Sequence, residues 1–104
     1  MLIDDRAAFS CLTLAVACDG AAVRTLEGGG ELLERLQQAF TESDAFQCGF
    51  CTPGQLMSAV ALLERDPAPT REAVRDHMSG NLCRCGAYVN IEAAVLAAAA
   101  QGEA

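Results

Sequence analysis

The sequence has no tryptophan, one tyrosine and one histidine, and aromatic residues make up only 5% of it. That excludes an aromatic-rich sheet core. The apolar share, 52%, comes mainly from Ala, Leu and Val, which suit small-residue helices. Basic residues are scarce as well: seven against fourteen acidic ones, for a net charge of −7. Scattered along the chain, they form no basic patch of the kind a nucleic-acid surface requires. Long hydrophobic runs are missing. The most apolar stretch, "IEAAVLAAAA", is too short to span a bilayer and begins beside a charge. The N-terminus "MLIDDRAAF" has neither a basic leader nor a long apolar run, so the chain reads as cytoplasmic, without signal peptide or membrane span. There is no Ser-His-Asp logic and no phosphate loop, and "EGGG", Glu27 to Gly30, is too bare to bind a nucleotide.

Cysteine, by contrast, is plentiful. Six cysteines in a reducing compartment favour metal ligation over disulfides. A chain of 104 residues holds one domain, or one domain and a fragment, and small domains often need a staple. Residues 1–28 read as short strands and turns. "MLID" and "AAFSCL" flank a turn at Asp4-Asp5-Arg6, and Asp19-Gly20 marks another between the apolar runs of "LTLAVACDGAAVRTL". Two or three short strands make a poor independent structure, so this segment reads as the end of a larger β unit.

From residue 29 to 104 the period becomes helical. Leu32, Leu33, Leu36 and Phe40 mark one face of a first helix. Thr52, Pro53 and Gln55 predict a capped start for a second, with Leu56, Met57, Val60 and Leu63 inward. Pro67 and Pro69 stop it, and Thr70 caps a third carrying Ala73, Val74, His77 and Met78 on or near its inner face. Gly80 suits its C-terminal stop. A fourth runs from about Asn90 into the alanine tract. The expected fold is mostly α: a four-helix bundle with pseudo-two-fold symmetry, in which each helix pair is joined by a short cysteine loop.

Those loops are "QCGFCTPGQ", with Cys48 and Cys51 spaced C-x2-C, and "NLCRCGAY", with Cys83 and Cys85 spaced C-x-C. The 31 residues from Thr52 to Leu82 leave room for a helical hairpin that brings both pairs together. Four convergent thiolates suit a tetrahedral zinc or a two-iron cluster. C-x-C is the less usual zinc knuckle, which inclines the spacing toward iron–sulfur without closing the zinc reading, a helical adaptor stapled by metal with no redox role. An oxidised two-iron cluster with four thiolates carries a charge of about −2. The second helix can aim its N–H groups at the Cys51 side of such a cluster, and Gly49, Gly54 and Gly86 allow close backbone approach. Arg84 can offset charge or be solvated.

"QCGFCTPG" together with "SGNLCRCGAY" closely resembles the small iron–sulfur subunit of the molybdenum hydroxylases, the family of xanthine dehydrogenase, aldehyde oxidoreductase and aerobic carbon monoxide dehydrogenase. The resemblance covers nearly the whole chain, with "GAY" where many members have "TGY". It implies that Cys48, Cys51, Cys83 and Cys85 bind one 2Fe-2S cluster in a four-helix domain, residues 29–104. Residues 1–28 would then be a remnant of the family's plant-type ferredoxin domain. Partners follow by the same resemblance: a large molybdopterin-binding subunit and an FAD-binding subunit, with electrons passing from molybdenum through the four-helix cluster and a ferredoxin cluster to flavin. Gln47 matches the glutamine that approaches the pterin, although on residues alone it reads as a helix-end amide. Cys85 matches the ligand on the pterin-facing side. "DDRAAFSCL" resembles the segment that carries the fourth ferredoxin ligand, making Cys11 its match. The family's C-x4-C-x2-C run would lie before Met1, so Cys11 alone cannot hold that second cluster. The resemblance thus implies a relay with a gap, the missing half being supplied elsewhere, or else a truncated, non-functional fragment.

The remaining residues read plainly. Cys18, and Cys11 once orphaned, are expected to be small buried residues. His77 is expected to be a satisfied or partly exposed histidine and no ligand. Met57 and Met78 are expected as core filler. Tyr88 is expected to pack beside the cluster with its hydroxyl in need of a partner.

Overall fold

The computed structural model describes residues 1–102. Its N-terminal part is a three-stranded antiparallel sheet of two-residue strands: β1 Leu2–Ile3, β2 Arg6–Ala7 and β3 Val23–Arg24, in the order β2-β1-β3. Leu2 pairs with Ala7 on one side and Arg24 on the other. The turn expected at Asp4-Asp5 is present, with φ of 49° and 68°. Two positive φ values match the twist of a tight hairpin, and aspartate tolerates them better than most residues. The Asp4 carboxylate also accepts the Ala22 N–H at 2.9 Å, which pins the turn to the incoming third strand.

One expectation fails here. The run "LTLAVAC" is not a strand. Residues Ser10–Leu12 and Ala15–Cys18 form 3-10 turns whose hydrogen bonds are local, and Leu12, Leu14 and Val16 are exposed. With no neighbouring strand to pair with, the segment satisfies its backbone within itself.

Four helices follow: α1 Glu31–Glu42, α2 Thr52–Arg65, α3 Arg71–Met78 and α4 Tyr88–Gly102. They close into a ring in which α1 packs on α4 and α2, and α3 packs on α2 and α4. The helix of "ELLERLQQAF" buries Leu33, Leu36, Ala39 and Phe40, leaving Leu32 half-buried. It ends in a Schellman turn: Asp44 is left-handed, and the Ala45 N–H reaches the Phe40 carbonyl at 2.9 Å. The polar break "TESDAF" is thus a helix stop that aims the chain into the first cysteine loop.

Helix α2 departs from its expected start. Its cap is Cys51, one residue early, and no side chain caps it. Gln55 closes no capping box and turns inward instead. Nor does α2 show a single buried face: Leu56, Met57, Ala59, Val60, Ala61, Leu62 and Leu63 are all buried. The reason is that the sheet covers a second side, with Leu2 wholly enclosed in the same core. Thr70 caps α3 as expected, accepting the Ala73 N–H at 3.1 Å. Gly80 is not a left-handed stop; its missing side chain makes room for the Phe9 ring, which a Cβ would meet at 3.3 Å. Helix α4 begins at Tyr88, two residues before the expected Asn90. Its alanines face the bundle, with Ala94 and Ala98 fully buried, and small side chains let α1 approach closely enough for Arg35 Nε to donate to the Ala98 carbonyl at 3.1 Å.

The buried polar side chains among the described residues are Gln55 and Glu92. Glu92, on α4, accepts from Arg71 at 2.5 Å and Arg75 at 2.6 Å, both on α3. The Arg75 hydrogen bond above all, with that of Arg71, holds its carboxyl below the usual range. A depressed folded value adds stability above the unfolded value and loses it as pH falls through the folded one. Glu92→Gln is therefore expected to lower the thermal midpoint at pH 7, with the difference from the parent shrinking below about pH 4; melting curves followed by circular dichroism at both pH values check this.

Candidate metal centre

Each helix pair delivers its cysteines to the same end of the bundle. An open cavity of about 390 Å³ there is lined by Cys48, Phe50, Cys51, Leu82, Cys83, Arg84 and Tyr88. Cys51, from the first loop, and Cys83, from the second, share its wall. Burial pushes the Cys51 thiol up, and the neighbouring Cys83 thiol adds to this. Cys83 is held below its ordinary value, chiefly by the Ala87 N–H, which points at its sulfur from 3.4 Å. The first loop makes the equivalent contact, Phe50 N–H to Cys48 Sγ at 3.5 Å. Both loops thus offer backbone donors to sulfur, as an anionic centre requires.

Gly49 and Gly86 have φ of 80° and 75°, and a Cβ on either would meet nothing within 4 Å. The positive φ lets each loop double back between a cysteine and the next helix. Cys85 is half-buried against the core and does not line the cavity. Gln47 is exposed beside Cys48. Arg84 is exposed on the rim. Among the described residues, no three His, Cys, Asp or Glu side chains gather as the ligands of a single ion.

The donor set suits a two-iron group. Soft thiolates are its ligands, and two short loops supply them in pairs. Thr52 Oγ1, next to Cys51, is buried with no hydrogen-bond partner. An orphaned buried hydroxyl costs about 1–3 kcal/mol, and an anionic sulfur acceptor beside Cys51 would remove that cost. The residues present fit the group.

The other cysteines are elsewhere, and both depart from expectation. Cys11 is exposed, on the wall of a separate cavity with Phe9, His77 and Asn81. Cys18 is half-buried, its Sγ 3.8 Å from the Leu14 carbonyl. The 3-10 turns that carry them run over the surface, so neither is core. His77 is satisfied, as expected: it bonds the Ser58 carbonyl at 2.9 Å through Nε2, and Nδ1 accepts from Arg65 at 3.2 Å. Met57 and Met78 are core. Tyr88 is 48% exposed, and its hydroxyl accepts the Cys83 N–H at 2.7 Å, bracing the second loop from the start of α4. The sequence signal for this brace was the spacing of Tyr88 five residues after Cys83.

The family of 2Fe-2S binding domains matches residues 23–96. The chain belongs to that family. It is 52% identical over 97% of its length to the nicotine 6-hydroxylase small subunit of Paenarthrobacter nicotinovorans, and 42% identical over 97% to the aldehyde oxidoreductase iron-sulfur-binding subunit PaoA of Escherichia coli. It spans 62% and 52% of those two proteins. Among solved structures, quinoline 2-oxidoreductase from Pseudomonas putida 86 superposes with a TM-score of 0.87 at 47% identity, covering 98% of this chain and 65% of that one. Aldehyde oxidoreductase from Desulfovibrio gigas superposes with a TM-score of 0.88 at 38% identity, covering 99% of this chain and 12% of that one. The 2Fe-2S domain is thus a homologue of the iron–sulfur subunits of molybdenum hydroxylases, as its two cysteine motifs implied. No described helix is long and apolar enough to cross a membrane.

Proposed function

We propose that the chain is the electron-transferring part of a molybdopterin-dependent hydroxylase, with Cys48, Cys51, Cys83 and Cys85 as the thiolate ligands of one 2Fe-2S centre. The observation that carries this is the cavity at the end of the bundle, lined by Cys48 and Cys51 of one motif and Cys83 of the other. A bound 2Fe-2S group supplies one-electron oxidation and reduction. The chain's own residues hold and surround it: two loops provide the sulfurs, and the Phe50 and Ala87 N–H groups donate to Cys48 and Cys83. Substrate chemistry is assigned to a partner.

The rim supports such a partner. Phe50 is 93% exposed and Leu82 79%, apolar side chains on the cavity wall that suit a protein surface better than water. Gln47 lies on this side and is assigned to the pterin of a large molybdopterin-binding subunit. An FAD-binding subunit completes the complex as the electron exit, and the assembly works in the cytoplasm. Residues 1–28 are assigned to a ferredoxin-like unit and 29–104 to the helical one. Purification of the tagged chain from its native cells, with metal and flavin analysis, tests the assignment. Stoichiometric molybdenum and FAD are expected in the eluate; an iron–sulfur chain that elutes with neither would overturn it.

A further inference from the structure

The two cysteine loops are not equally fixed. Cys83 is buried, and each of its polar groups has a partner within the next five residues. Its N–H donates to the Tyr88 hydroxyl at 2.7 Å, its carbonyl accepts the Gly86 N–H at 3.0 Å, and its Sγ accepts the Ala87 N–H at 3.4 Å. Cys48, in the first loop, is exposed, and its Sγ accepts the Phe50 N–H at 3.5 Å. Two of the Cys83 contacts are turns that the loop makes with its own backbone. The third is a side chain from outside the loop, on the first residue of α4. Tyr88 lines the cysteine cavity and also a smaller one of about 110 Å³ shared with Met78 and Ile91, so its ring stands between the site and the bundle core.

We propose that Tyr88 is a positioning residue: its hydroxyl preforms the Cys83 half of the site before any metal binds, and the Cys48 half is the one that adjusts. A buried N–H deprived of its acceptor is unfavourable, so without the hydroxyl the loop opens until water reaches that N–H, and the Cys83 sulfur moves with it. A ligand already in place loses little freedom when metal arrives, and one that must be ordered first holds metal less firmly. The groups that orient metal ligands matter to affinity for this reason. The proposal rests on the ligand assignment above, which iron and sulfide content of the parent chain tests separately.

The test is thiol alkylation of the metal-free chain, read cysteine by cysteine by mass spectrometry, in the parent and in Tyr88→Phe, which keeps the ring and removes only the hydroxyl. Circular dichroism checks that the helices remain. In the parent, Cys48 is expected to react quickly and Cys83 slowly. In Tyr88→Phe, Cys83 is expected to react about tenfold faster, with Cys51 at the parent's rate. Asn90→Ala removes a different tie of α4, from Asn90 Nδ2 to the Asp44 carbonyl before the first loop, and is expected to leave the Cys83 rate unchanged. After anaerobic reconstitution with iron and sulfide, Tyr88→Phe is expected to release iron to a chelator about tenfold faster than the parent. The electron paramagnetic resonance spectrum of its reduced form is expected to shift, because that signal reports the geometry of the ligand sulfurs. An unchanged Cys83 rate would overturn the proposal, as would a fully loaded variant with the parent's iron release and spectrum. An equal rise at Cys51 and Cys83, or loss of the helices, would also overturn it and make the hydroxyl a general folding contact.

Discussion

Cys51→Ala is expected to emerge from anaerobic reconstitution colourless and without bound iron. Cys51 lines the cavity together with Cys83 of the other loop, so its loss is expected to remove one of the four proposed ligands. Removing an outer partner of a metal ligand already weakens binding by roughly 10–100-fold, and removing a ligand is expected to exceed that. Cys85→Ala is expected to behave in the same way, although Cys85 does not line the cavity. Cys18→Ala supplies the control. That thiol lies in a 3-10 turn of the N-terminal part, and full iron loading is expected. Iron per chain and the visible spectrum report all three. A coloured, redox-active Cys85→Ala chain would remove Cys85 from the ligand set.

Phe40→Ala is expected to destabilise the chain by about 3–5 kcal/mol, a large share of the roughly 5–15 kcal/mol available to a small domain. Phe40 is 1% exposed, the largest fully buried side chain, on the helix that packs against α4. Its carbonyl also accepts the hydrogen bond that closes α1 and turns the chain toward Cys48. The substitution therefore leaves a cavity in the bundle beneath the turn that leads to the first loop. Urea unfolding followed at the helical signal measures the change. A loss under about 1 kcal/mol would mean that the surroundings collapse to fill the space, and that α1 is less firmly docked than its burial indicates.

The helices were legible because their signals were local. Leu33, Leu36 and Phe40 recur at helical spacing, Pro67 and Pro69 interrupt, and Thr70 caps, and each did in the structure what its chemistry predicts. The family was legible because C-x2-C followed by C-x-C, each at the head of a helix, is a specific arrangement. What was misread depends on tertiary surroundings. "LTLAVAC" has strand composition, yet no strand lies beside it, so it folds into 3-10 turns. Gln55 stood at the right spacing for a capping box, but the helix starts a residue early and the amide finds better partners in the other loop. α2 gave a one-sided pattern because periodicity along one helix does not reveal a sheet on its far side. Gly49 and Gly86 were picked out, but not their positive φ, which is set by the loop's path and which spacing does not show.

The assignment of four thiolates to one two-iron centre is tested most directly by metal and sulfide analysis of the anaerobically purified chain, with an absorption spectrum taken alongside. About two irons and two sulfides per chain, with a reddish-brown spectrum bleached by dithionite, are the expected result. One zinc and no sulfide, even after reconstitution with iron and sulfide, would contradict it and leave the cysteine loops as a structural staple.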